Sequence, residues 1–332
     1  MIKNYKIADK SIWQGRVDDP NDLASFRWHQ VIKYIDLNEF KNIAIKTAYC
    51  FIGFECNEGV LRNHGRPGAA KAPDYLRKEM GNLAWNNDLN IELYDAGNIF
   101  CVDKDLECAQ NNLAKAVEKI LSLNMFPVVL GGGHDVAFGN FKGIKNRIIK
   151  KNNNKSIGII NFDAHFDLRP VQNKKGSSGT MFLQIANLCK QENRAFNYYC
   201  LGIQTYANTK RLFQTAKELN VRYELAKNIR ENNLSKIKNN LNTFIAENDF
   251  IYMTVCTDVF SAAYAPGVSA PQPFGLLPEI TLDLIKHVAD SGKLISFDIA
   301  EIAPRFDEDK RTAKLGAIII YALINILSGN KI

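Results

Sequence analysis

Short apolar runs recur along the chain, separated by longer stretches in which apolar residues return every three or four positions. The short runs read as strands and the periodic stretches as amphipathic helices. Strands are predicted at 43–54, 91–95, 127–130, 156–162, 198–203, 250–255 and 293–299. Helical periodicity covers 70–79, 106–123, 181–187, 209–219, 230–247, 281–290 and 312–327, with a helix-like stretch at 28–34. Several strands are almost continuously apolar, as strands buried on both faces are. Strands and helices that alternate this way predict a three-layer α/β/α fold with a central, mainly parallel sheet. No repeat, low-complexity tract or Pro/Gly-rich linker interrupts the alternation. The chain therefore reads as one domain over 1–332, with an irregular N-terminal extension at 1–40.

Four of the apolar runs end in ionisable residues. The run at 127–130 leads into Gly131-Gly132-Gly133-His134-Asp135, and that at 156–160 into Asn161-Phe162-Asp163-Ala164-His165-Phe166-Asp167. The run at 250–255 leads into Cys256-Thr257-Asp258, and that at 293–297 into Asp298-Ile299-Ala300-Glu301. Parallel α/β sheets bind ligands outside the carboxyl ends of their strands, so these four clusters should converge. In an extended chain Asp163, His165 and Asp167 would share one face, with Ala164 and Phe166 on the other. So many buried acids are costly without a cation. His134, Asp163 and Asp167 could hold one ion, and Asp163, His165 and Asp258 a second. Donors dominated by carboxylates favour Mn²⁺ or Mg²⁺ over zinc. The glycine run before His134 could instead present N–H groups to a phosphate, but it lacks the Lys-Ser/Thr of a P-loop and the spacing of a dinucleotide fold. Two ions about 3.5–4 Å apart deprotonate a bridging water near neutral pH, which points to metal-assisted hydrolysis.

Composition narrows the field. Apolar residues make up 46% and charged residues 23%, which excludes a disordered or fibrous chain. The net charge of +7 is spread along the sequence; only 150–155 and Lys174-Lys175 are locally basic. With no basic groove interleaved with aromatics, nucleic acid is not an expected partner. Seven cysteines without a Cys-x-x-Cys pair suit a reducing compartment and argue against a disulfide scaffold. The start lacks an apolar signal segment and the longest apolar run, at 315–327, is too short to span a bilayer. A cytoplasmic protein without membrane attachment is expected. Two loops look functional because they follow strands: 53–68, rich in Arg, Asn and Glu, and the Pro-stiffened 265–275.

In combination and order, the motifs resemble the ureohydrolase superfamily of arginase and agmatinase. They are Gly131-Gly132-Gly133-His134-Asp135, Asp163-Ala164-His165-Phe166-Asp167, Asp258 with the 265–273 loop, and Ser296-Phe297-Asp298-Ile299-Ala300-Glu301. The resemblance runs from about residue 46 to the C-terminus. Within it, Trp13-Gln14-Gly15-Arg16-Val17-Asp18, the run 58–69 and Ser177-Ser178-Gly179-Thr180-Met181-Phe182 are similar to the formimidoylglutamase branch. That resemblance implies an arginase-like fold, two Mn²⁺ per subunit and assembly into homo-oligomers. It also implies hydrolysis of N-formimidoyl-L-glutamate to L-glutamate and formamide, a step of histidine degradation, by a hydroxide bridging the two ions.

Residue roles follow from the same resemblance. Cys256 stands where arginases carry a bridging Asp; it either ligates both ions or fills the strand and leaves the second site incomplete. Phe182 aligns with the His that arginase-like enzymes carry after the Ser-Gly turn, so that proton shuttle is missing. Glu301 would hold the amidine and Asp167 relay a proton. Arg62, Asn63, Arg66 and Arg169 would bind the carboxylates of a small dicarboxylate substrate. Asp298 would support the ligands without binding metal. Two other readings stay open: a ureohydrolase acting on a guanidino acid, and a degenerate, non-catalytic homologue. The basic run 62–69 disfavours a cationic substrate such as agmatine.

Overall fold

The structure, a computed structural model, describes residues 1–41, 47–87, 91–151 and 155–329. The start of the first predicted strand, 43–46, and positions 152–154 of the basic loop at 150–155 lie outside the described residues. So do the last three positions of the 1–332 span.

The strands are β1 (Tyr5–Lys6), β2 (Lys33–Tyr34), β3 (Thr47–Glu55), β4 (Ile91–Phe100), β5 (Phe126–Leu130), β6 (Ile157–Phe162), β7 (Asn197–Ile203), β8 (Arg222–Leu225), β9 (Phe250–Cys256) and β10 (Leu294–Ala300). The α-helices are α1 (Trp28–Val31), α2 (Glu58–Arg62), α3 (Ala72–Gly81), α4 (Leu106–Ser122), α5 (Val136–Lys151), α6 (Met181–Gln191), α7 (Lys210–Glu218), α8 (Leu234–Ala246), α9 (Pro278–Ala289) and α10 (Arg311–Leu327). They build one sheet in the order β1-β4-β3-β5-β10-β9-β6-β7-β8, with β2 also on β4. Every described pairing between these strands is parallel except the antiparallel β1–β4 pair.

Alternation along the central strands feeds two cores. On β6, Ile157 and Ile159 join one, while Ile160 and Phe162 join the other. Helices α4, α5, α6 and α7 cover the first face, and α3, α8, α9 and α10 the second. This is the predicted three-layer α/β/α arrangement. Among the described residues, no helix is long and apolar enough to cross a membrane.

Departures from the predicted elements have local causes. β4 runs five residues past 95 because Gly97, at φ +86°, turns the strand through an irregularity opposite β3, and the alternation is lost there. The stretch 28–34 is one helical turn, α1, followed by the extended pair β2 on β4. Helix α5 has a diluted pattern, since Gly139 and Gly143 occupy apolar-face positions. A Cβ at Gly143 would lie 2.6 Å from the Ala114 carbonyl of α4, so the glycine sets how close the two helices pack.

The order of the strands matters most for function. β5, β10, β9 and β6 are consecutive neighbours, and they are the four strands whose ends carry the ionisable clusters. The connection through α5 carries the chain from β5 across β10 and β9 to β6, which opens a crevice at the carboxyl edge.

Candidate metal centre

Each strand end delivers its side chains through a specific backbone device. After β5, Gly131 N–H donates to the Ile299 carbonyl of β10 at 2.8 Å, and Glu301 N–H returns a bond to the Gly132 carbonyl at 2.9 Å. The two chain segments are thereby laced together beyond their strands. A Cβ on Gly132 would lie 2.3 Å from the Cys56 carbonyl, so only glycine fits this close approach. His134 is thus held at the bottom of the crevice, buried, with its own N–H donating to Glu301 Oε1 at 2.9 Å.

After β6 the chain leaves the extended conformation at once. The sequence expectation of one extended face for Asp163, His165 and Asp167 is therefore corrected: β6 ends at Phe162, and Asp167 sits at φ +50°. The three side chains still converge, because a turn does the work. His165 N–H donates to Asp163 Oδ1 at 2.8 Å, and the Phe166 and Ala164 backbone is pinned by Asn208. Glu301 also lies at positive φ, +67°. Both are non-glycine residues in sparsely populated backbone, which the surrounding structure must hold.

The resulting cluster is compact. His134 Nδ1 lies 2.8 Å from Asp163 Oδ2 and 3.1 Å from Asp167 Oδ2. His165 Nδ1 lies 3.4 Å from Asp163 Oδ1 and 3.2 Å from Asp258 Oδ2. Two groups of donor atoms come within 4.8 Å of one another: His134, Asp163 and Cys256, and Asp163, His165 and Asp258. Asp163 is common to both. Asp167 stands beside the first group, on His134, and every ligand expected from the sequence is therefore in one place.

The His134 ring is oriented from behind. Its Nε2 lies 3.0 Å from Thr254 Oγ1, and the Thr254 hydroxyl donates to Asp298 Oδ1. With its own hydrogen directed to Asp298, Thr254 can accept from Nε2–H, which would leave the Nδ1 lone pair to a cation placed among Asp163, Asp167 and Cys256. Asp298 also accepts from Asn140 and Tyr252, which fills its oxygens and takes it out of the ligand set. Thr254 went unnoticed in the sequence because it sits inside an apolar strand. Its position two residues before Cys256, on the same face, was the available signal.

The electrostatics show what the cluster suits. Burial pushes Asp167 up to about 6, with the Asp163 charge adding to it, and pushes Glu301 up to about 8. Burial likewise raises Asp135 to about 7, and neither of its carboxylate oxygens has a hydrogen-bond partner among the described residues. Burial and then the charges of Asp163, Asp258 and Glu301 hold the Cys256 thiol well above its ordinary value. Burial opposes charge on His134 and His165 too, yet bonds and charges from the surrounding aspartates raise both. Asp258 Oδ1 is buried without a partner among the described residues. A donor set that must otherwise gather protons, with an orphaned carboxylate oxygen among them, fits divalent cations. Its hard oxygens and imidazoles suit Mn²⁺, and Cys256 adds one soft donor.

Above the cluster opens a cleft of about 280 Å³, lined among others by Asn63, Arg66, Arg169, Asp258 and Glu301. The candidate substrate residues are not equivalent there. Arg169 is exposed and its guanidinium has no partner among the described residues, so it can meet a ligand. Arg66 also lines the cleft; its Nε donates to the Ser269 carbonyl at 3.0 Å, and it stacks 4.2 Å over Phe306. Arg62 is taken up by Glu58 at 2.9 Å, Glu107 at 2.7 Å and the carbonyls of Lys104 and Gly176, and it lines the adjoining basin instead. Phe182 is fully buried in the wall, so no shuttle side chain occupies its place.

Comparison with known proteins gives the chain its relatives. A family model described as the arginase family matches residues 47–325. A formimidoylglutamase of Clostridium tetani is 49% identical to the chain, over 98% of this chain and 97% of that protein. Among solved structures, formimidoylglutamase from Bacillus subtilis superposes with a TM-score of 0.75 at 22% identity, covering 90% of this chain and 93% of that one. A Trypanosoma cruzi formiminoglutamase crystallised with Mn²⁺ gives 0.74 at 23% identity, covering 86% and 95%. At those identities the superpositions speak for the fold alone.

Proposed function

The chain belongs to the arginase family, and from that premise we propose that it is a formimidoylglutamase, hydrolysing N-formimidoyl-L-glutamate to L-glutamate and formamide with two Mn²⁺ per subunit. The observation that carries the reading is Asp163, a buried carboxylate shared by two groups of ligand atoms beneath the floor of one cleft. The relatedness to the C. tetani formimidoylglutamase supports the substrate. His134, Asp163, Asp167, His165, Asp258 and Cys256 would hold the ions. When bound, two such cations supply a deprotonated water near neutral pH and neutralise charge that develops during reaction.

The chain's own residues have the remaining tasks. Water adds to the formimidoyl carbon, the bond from that carbon to the glutamate nitrogen breaks, and the departing nitrogen takes a proton. Glu301 accepts hydrogen bonds from the amidinium N–H groups, with its carboxylate fixed by His134 N–H. Asp167 carries the proton to the leaving nitrogen. Arg169 and Arg66 receive the two carboxylates, with the Asn63 amide beside them. Arg62 acts on the same loop from outside, fixing it to Glu107 of α4. A cleft lined by two guanidiniums repels an amine-tailed guanidine such as agmatine. Assembly into homo-oligomers and a place in histidine degradation belong to the same reading.

The test is a substrate panel on Mn²⁺-loaded protein. We expect formamide and glutamate in equal amounts from formimidoylglutamate, at a kcat/KM about 100-fold or more above arginine, agmatine and 4-guanidinobutyrate. Urea released faster from any guanidino compound would overturn the assignment.

A further inference from the structure

Behind the metal ligands runs a line of buried side chains that the chemistry above leaves unused. Asn161, near the end of β6, is fully buried. Its Nδ2 donates to Asp163 Oδ2 at 3.2 Å and to the Tyr198 hydroxyl oxygen at 2.9 Å. Tyr198 stands on the neighbouring β7, is 1% exposed, and donates its own hydroxyl to the Phe166 carbonyl at 3.2 Å. Its ring stacks on Phe182, centroids 4.3 Å apart and planes at 21°, and Phe182 meets the His134 ring edge-on at 5.5 Å.

The line therefore touches three ligands. It grips Asp163 by a direct hydrogen bond, His134 through the edge of Phe182, and Asp167 through the carbonyl of the residue before it. That last contact falls where the backbone turns into positive φ, a conformation the turn must be held in. A buried amide and a buried phenol are costly unless paired, and leucine and phenylalanine could fill the same space without that cost. The Asn161 Nδ2 and the Tyr198 hydroxyl are paired toward the ligand turn, while Asn161 Oδ1 is buried without a partner among the described residues, a cost that apolar filler would avoid.

We infer that Asn161 and Tyr198 are positioning residues for the divalent cations, setting the spacing of Asp163 against His134 and Asp167. The inference rests on reading the cleft as a metal site. It predicts that losing one hydroxyl loosens metal more than it loosens the fold. Tyr199 provides the control, because it is the adjacent residue of β7, is also buried, and sends its hydroxyl away from the site to Glu224 at 2.9 Å.

The experiment titrates Mn²⁺ into wild type, Tyr198→Phe and Tyr199→Phe by isothermal calorimetry, with thermal melts of each in EDTA. Tyr198→Phe should bind Mn²⁺ about tenfold or more weakly, the usual loss when a group behind a ligand is removed. Tyr199→Phe should bind within about twofold of wild type, as independent sites do. Asn161→Leu should resemble Tyr198→Phe. Wild-type affinity in Tyr198→Phe would overturn the inference, as would losses that simply track the drop in melting temperature in both tyrosine variants. A wild-type protein that binds no Mn²⁺ would instead remove the metal centre, and this inference with it.

Discussion

Arg62 and Arg169 carry the same charge into opposite circumstances. Arg62 is 13% exposed at its side chain and spends its guanidinium on two carboxylates and two carbonyls. Arg169 is exposed at the cleft and has no partner among the described residues. Arg62→Ala should therefore cost about 2 kcal/mol of stability, the worth of a charged hydrogen bond left unmade, and leave KM for formimidoylglutamate nearly unchanged. Arg169→Ala should leave stability within about 0.5 kcal/mol and raise KM about tenfold or more, for loss of a charge-assisted contact. Urea melts and Michaelis curves on both variants decide it; a reversed pattern would return Arg62 to the substrate pocket. The sequence could nominate both arginines because the loops after strands are where ligands bind. It could not rank them, because three of the four partners of Arg62, Lys104, Glu107 and Gly176, lie 42, 45 and 114 residues away. Thr254 was hidden for the opposite reason, as a hydroxyl in an apolar strand reads as tolerated polarity until His134 is seen beside it.

At the level of elements, the glycine run after β5 has to be read as backbone packing, not as flexibility. Gly132 lies where a Cβ would meet the Cys56 and Phe54 carbonyls at 2.3 and 2.7 Å, atoms of the β3 end that cannot rotate aside. Gly132→Ala should thus cost about 1–3 kcal/mol and displace His134, lowering Mn²⁺ occupancy along with the melting temperature. Unchanged melting and metal content would show that the strand ends are less tightly joined than described. Strands and helices with strong periods were legible in the sequence to within a few residues, and both core faces followed from their alternation. What stayed illegible was short or interrupted: α2, β8, the glycine-broken α5, and the turn that ends β6. The candidate ligands of that turn converge by a different local geometry from the one the sequence predicts, since an extended strand and a tight turn can each bring Asp163 and His165 together.

For the whole molecule, the sheet order is the decisive fact. Placing β5, β10, β9 and β6 side by side turns four separate polar strand ends into one buried centre, and only the long crossovers make those strands neighbours. The sequence predicted convergence from a general property of parallel sheets, and the topology supplies the reason. Six ligand candidates from three strand ends then meet around one shared carboxylate. The most direct test is metal content per chain after Mn²⁺ loading and desalting, with formamide release from formimidoylglutamate assayed on the same sample. The account predicts two ions per chain and turnover that is lost in EDTA and regained on adding Mn²⁺. One ion or none, without turnover, would contradict it and leave Cys256 as filler beside an incomplete site.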